Sequence, residues 1–346
     1  MKGSMKYLFR LFIVCVAASL CSSCSPKKSA AHHISRPVFS ADSAYQFIAD
    51  QLSFGPRVPN SQGHTDCVIY LVHQLRRFGA DVTLQKGTMR DYSGRVQPVV
   101  NIIGRFWPDS IKDSSTPRLL LCAHYDTRPW CDQEEEYSNR FLNVPGANDG
   151  ASGVGVLLEI ARQIGLSMDT TNDKVPTTND QRLTTAVEIV FFDVEDMGTP
   201  DFYTGEQREN TWCLGSQLWA SELTNNQSPI TNYKYGILLD MVGAPDASFP
   251  REYYSTQYAS NYVEKIWRSA RELGYGRYFD DRMSYPIVDD HYYVNLAGVP
   301  CVDIIHYDMK SSTGFPEWWH TRNDNMDNID KGTLQAVGEV ILTCLN

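Results

Sequence analysis

A three-layer α/β/α sandwich around a mixed, mostly parallel sheet is the fold the sequence predicts. Three observations predict it. Short apolar runs alternate along the chain with longer segments of helical periodicity. Several of those runs are apolar on both faces, as in a sheet covered by helices on each side. Strand and helix alternate rather than cluster, which is the pattern that builds parallel sheets. The 346 residues carry a net charge of −10, which argues against nucleic acid as a partner.

The amino terminus predicts targeting sequence. Lys2, Lys6 and Arg10 precede an apolar run at 11–20 that is too short for a comfortable membrane span. The segment then reads Leu20-Cys21-Ser22-Ser23-Cys24, similar to a bacterial lipoprotein cleavage site with Cys24 as the lipidated residue, although Cys21 is atypical there. Residues 1–23 are thus expected to be a signal peptide and 24–39 a polar tether. The expected location is the periplasm, with membrane contact only through a lipid on Cys24; an ordinary cleaved signal is the alternative. One catalytic domain is expected over 40–346, roughly 300 residues and enough for a large core.

Within it, residues 44–52 and 67–78 predict helices, the second closed by Gly79. Strands are expected at 99–106, 119–125, 187–193, 235–241 and 299–305. Helices are expected at 153–164, 214–223, 258–273 and 333–345. The Thr/Asn/Asp-rich stretch 169–182 reads as an exposed loop. Cys67, Cys122, Cys131, Cys213, Cys301 and Cys344 show no paired spacing, and most sit in apolar runs.

In such sheets ligands bind beyond the carboxyl ends of the strands. Chemistry-bearing residues recur at those ends: His124 with Asp126, then Glu195 and Asp196, then Asp240. Asp289, Asp290 and His291 come shortly before the last strand. Asp149 precedes a helix and His320 lies in a late loop. Singly, each has a plain explanation: Asp149 as a helix cap, Asp290 or His291 as a cap or an orienter. Together they predict metal or carboxylate chemistry at one sheet edge.

The runs LLLCAHYDTRP, VPGANDGASGVGVLLEIAR, AVEIVFFDVED, GILLDMVGAP and EWWHTRND resemble, in order, those of the zinc aminopeptidase superfamily and its glutaminyl cyclase branch. FGPRVPNSQGH at 54–64, VDDH at 288–291 and FPEWWH at 315–320 favour the cyclase branch. The resemblance implies one zinc per chain, held by Asp149, Asp196 and His320. Aspartate at 196 departs from the family's usual glutamate; one methylene shorter, it requires the loop to approach the metal more closely. The resemblance also implies Glu195 as general acid/base, with Asp240 and Asp289 as an acidic pair hydrogen-bonded around it. It places Trp319 on the pocket wall and Phe315 at the rim, with Trp318 as core or rim; Phe202, Tyr203 and Trp212 receive no role.

The implied activity is ring closure of the N-terminal glutamine of peptides and proteins to pyroglutamate. The alternative is a two-metal aminopeptidase using His124, Asp149, Asp196, Asp240 and His320, with His124 and Asp126 at the second-metal position. A non-enzymatic binding domain of the same fold is a third reading. Every ligand position still holds an acid or a histidine, which counts against it.

Overall fold

The computed structural model describes residues 38–108, 116–168, 185–225 and 233–345. The expected signal peptide, Cys24, almost all of the tether and the whole 169–182 loop lie outside them.

The chain enters through helix α1, Ala41–Leu52, whose first turn is capped by the Ser40 hydroxyl accepting from the Ser43 amide. Helix α2, Gln62–Arg77, is capped by Ser61 in the same way. It ends at Gly79, whose φ of 92° is the left-handed conformation expected just past a helix. Strands β1, Asp81–Arg90, and β2, Val96–Phe106, form an antiparallel hairpin. There follow β3, Arg118–His124; α3, Ala151–Met168; β4, Val187–Phe192; α4, Leu214–Asn225; and β5, Tyr233–Asp240. The remainder is β6, Phe249–Arg251; α5, Tyr253–Glu272; β7, Phe279–Met283; α6, Asp290–Leu296; β8, Cys301–Ile305; and α7, Lys331–Cys344.

The main sheet runs β1-β2-β4-β3-β5-β8. β2 pairs antiparallel with β4, while β4, β3, β5 and β8 are mutually parallel. The sheet is therefore mixed and mostly parallel. Successive side chains of a strand face opposite sides, and β3 shows it. Leu119, Leu121 and Ala123 enter the core beneath α1, α3 and α7, while Leu120 and Cys122 enter a second core beneath α4 and α6. That makes three layers.

The sequence expectation lacks β1, β6, β7 and α6. β1 was not anticipated: its residues alternate between exposed and partly buried, with no apolar run to announce it. Asp289–His291 lies shortly before the last strand, as expected, and opens α6, a helix of 7 residues capped by the Asp289 carboxylate. All six described cysteines are reduced and buried.

Candidate active site and metal centre

The carboxyl ends of β3, β4 and β5 carry the chemistry. His124 is the last residue of β3 and Asp240 the last of β5, while Glu195 and Asp196 follow β4. Val194, at φ 55°, turns the chain sharply there. Asp149 arrives at the amino end of α3. Gly150 beside it is obligatory, because a Cβ would collide with the carbonyl and ring of His124. His320, at φ 53°, comes from the loop before α7.

Buried polar groups fix these loops by gripping main chain. Asp126 accepts the amides of Glu195 at 3.0 Å and Asp196 at 3.2 Å. It is thus a support for the β4 loop; the second-metal position expected of it falls to other residues. Asp324 accepts the amides of Asn148 at 2.7 Å and Asp149 at 3.1 Å. Arg57 donates to the carbonyls of Tyr125, Pro145 and Gly146. His64 Nε2 meets Asp193 Oδ1 at 2.7 Å. Arg57 and His64 both belong to the 54–64 motif, whose work is to hold the ligand loops.

Among the described residues four groups of ligand atoms converge, each within 4.8 Å, and two of them share Asp149: Asp149, Asp196 and His320, and His124, Asp149 and Asp240. In the first, His320 Nε2 lies 3.5 Å from Asp149 Oδ2 and 3.3 Å from Asp196 Oδ1. Tetrahedral zinc with bonds of about 2.0–2.1 Å puts its donor atoms about 3.3–3.4 Å apart. Asp196 Oδ2 is buried without a hydrogen-bond partner. Burial alone would lower the His320 pKa, but Asp196 and its neighbours drive it up to about 10. The site is built around a positive charge, and the donor set fits zinc. In the second group His124 Nε2 lies 3.0 Å from Asp149 Oδ1 and 3.2 Å from Asp240 Oδ1.

The three residues of the expected acid/base set separate in role. Burial pushes the Glu195 pKa well up, reinforced by Asp196, Asp289 and Asp290 and opposed by His124. Its side chain accepts from the Cys213 thiol at 3.2 Å. Asp240 is hydrogen-bonded to His124 rather than to Glu195. Asp289 lies near enough to group with Glu195 and Cys213, while its carboxylate caps α6. Burial raises Asp240 to about 6, and burial with the Asp240 charge raises Asp289 to about 7. Protons are therefore held within this acidic set near neutral pH.

A cavity of about 340 Å³ opens on these groups, lined by Asp149, Glu195, Asp196, Asp240, Asp289 and His320 together with Trp212, Phe315 and Trp319. Trp319 stacks on the His320 ring at 3.6 Å, and Phe315 lies 4.6 Å from Trp319. Trp318 packs on the main core. Trp212, given no role from sequence, lies parallel to the His320 ring at 6.3 Å. Nothing in the sequence marks it out, since its loop reaches the site only through the fold.

Comparison with known proteins agrees with this geometry. The family model for Peptidase family M28 matches residues 101–345. A solved structure of Tannerella forsythia glutaminyl cyclase is 47% identical, with a TM-score of 0.79, over 89% of this chain and 99% of that one. A Zn-dependent exopeptidase from Parabacteroides distasonis is 45% identical, with a TM-score of 0.80, over 90% and 99% of the two chains. The glutaminyl-peptide cyclotransferase of Bos taurus is 26% identical over 302 residues, 82% of this chain and 76% of its own. With its zinc-type ligand group at the sheet edge and the family model spanning most of its length, this chain belongs to Peptidase family M28.

Proposed function

We propose that the chain is a glutaminyl-peptide cyclotransferase, an acyltransferase that closes the N-terminal glutamine of peptides and proteins into pyroglutamate. The observation that carries this reading is one cavity in which the Asp149, Asp196 and His320 ligand group meets Glu195, a carboxyl of raised proton affinity. Those three ligands would hold one zinc per chain. Zinc there supplies a Lewis acid for the oxygen of the side-chain amide.

The chain's own residues do the rest. Trp319, Phe315 and Trp212 wall the cavity and exclude water from the glutamine. Amine and amide belong to the same residue, so holding it in place aligns both reacting groups. The α-amine nitrogen bonds to the side-chain amide carbon, and the bond from that carbon to the amide nitrogen breaks. One proton passes from the attacking to the departing nitrogen, so ammonia leaves. Glu195 is placed to carry that proton. Asp240 and Asp289, whose proton affinities burial raises, set the charge around it. No water is consumed.

A second reading, a two-metal aminopeptidase, rests on the His124, Asp149 and Asp240 group, which shares Asp149 with the first. Purified enzyme given a Gln-initiated peptide separates them. Ammonia with no free amino acid is the expected product; release of the first residue would establish the peptidase.

The amino-terminal pattern supports an envelope protein, anchored through Cys24 and facing the periplasm. Fatty-acid label incorporated by the wild type should be absent from Cys24→Ser, and label persisting in that variant would remove the anchor.

A further inference from the structure

We infer that Arg128 and Asp132 form a positioning pair that spans two of the three metal ligands and makes the short Asp196 ligand serviceable. This rests on the assignment of Asp149, Asp196 and His320 to zinc. Arg128 and Asp132 lie in the loop after β3, each only 1% exposed. They are joined by two hydrogen bonds, Nε to Oδ1 at 2.8 Å and Nη2 to Oδ2 at 2.6 Å. Such a fork fixes orientation as well as distance.

Each partner then reaches a different ligand. Arg128 Nη1 donates to the Asp196 carboxylate at 3.3 Å and to its carbonyl at 3.2 Å. The same guanidinium donates to the carbonyls of Gly198 and Thr199, drawing in the loop that an aspartate ligand needs close to the metal. Asp132 Oδ1 lies 3.5 Å from His320 Nδ1. A carboxylate there favours the tautomer with its proton on Nδ1, leaving Nε2 as the donor to metal. Asp132 Oδ2 also accepts the Asp201 amide at 3.1 Å. Lastly, the guanidinium lies 4.7 Å from the Trp212 ring, so the pair ties the ligands to the cavity wall.

The pair acts through the ligands and touches no substrate. Its test is therefore zinc affinity, measured by chelator competition on folded protein, with cobalt-substituted protein read by visible absorption. Asp132→Asn should weaken zinc by roughly 10–100-fold and shift the cobalt bands. Arg128→Lys keeps the charge but loses the fork, and should weaken zinc similarly. Asp91→Asn, a buried acid in the β1–β2 turn, controls for lost stability and should leave zinc affinity unchanged. Wild-type zinc affinity and cobalt bands in folded Asp132→Asn would overturn the role of Asp132, and the same result in Arg128→Lys that of the guanidinium. If Asp132→Asn fails to fold, Arg128→Lys and Asp132→Glu carry the test. Failure of the underlying site is distinguishable: His320→Ala would then bind zinc like wild type.

Discussion

His124 and Asp240, at the ends of the neighbouring strands β3 and β5, meet with Nε2 3.2 Å from Oδ1. The same Nε2 lies 3.0 Å from Asp149. A proton on His124 Nε2 would be shared between these two carboxylates, and a second metal between them would compete with it.

Metal content tests the one-zinc expectation. Elemental analysis should find about one zinc per chain. His320→Ala should lose zinc and turnover together, whereas His124→Ala should keep zinc near the wild-type level. Two tightly held zincs, with His124→Ala losing one, would favour the aminopeptidase.

Glu195→Gln keeps shape and removes the titratable proton carrier. Zinc content should stay normal, since the ligand is the neighbouring Asp196. Turnover should fall by roughly 10²–10⁴-fold. Loss of zinc instead would exchange the roles of Glu195 and Asp196.

Phe315→Ala should raise KM with little change in kcat. Phe315 lines the cavity against Trp319 and is not itself a ligand, so the loss is one of cavity wall. An aromatic contact worth about 0.5–1.5 kcal/mol corresponds to a change of roughly 2–12-fold. Steady-state kinetics on a Gln-initiated peptide would show it, and a fall in kcat alone would place Phe315 elsewhere in the mechanism.

Glu252 gives a pH prediction away from the metal. Fully buried, it caps α5 through the amides of Tyr254 and Ser255 and meets His291 Nε2 at 2.9 Å. Burial raises its pKa, but the His291 bond and those amides outweigh burial and bring it below the ordinary glutamate value. A depressed folded-state pKa means stability present above about pH 4.5 and lost as pH falls through the folded value. Glu252→Gln should therefore cost about 1.5–3 kcal/mol at pH 7, the worth of hydrogen bonds to a charged group. In urea unfolding the two proteins should converge as pH drops below about 4.5. A constant difference across that range would rule out the charged form.

The buried strands and the ligand positions were legible because both leave a local mark. Val187–Phe192 is apolar on both faces apart from Glu188, and acids follow it at the point where a parallel strand must stop. β1 left no such mark, because an edge strand half in water has no apolar run. Asp126, Arg128 and Asp132 were readable only in part. Their spacing in HYDTRPWCD is local, but the groups they serve are about 70 and 190 positions away in sequence. Cys213 and Trp212 carried no signal, since a thiol against Glu195 and a ring beside His320 exist only once the loops have met.

Asp126 and Asp324 hold the loops of Glu195, Asp196 and Asp149 by their peptide amides alone. A grip of that kind is blind to the side chain it carries. The frame and the reagents are thus separable: a wall residue can be replaced while the path of the chain stays put. Within a family that holds both exopeptidases and cyclases, such a frame lets one reaction give way to another through a few side chains, with no new architecture.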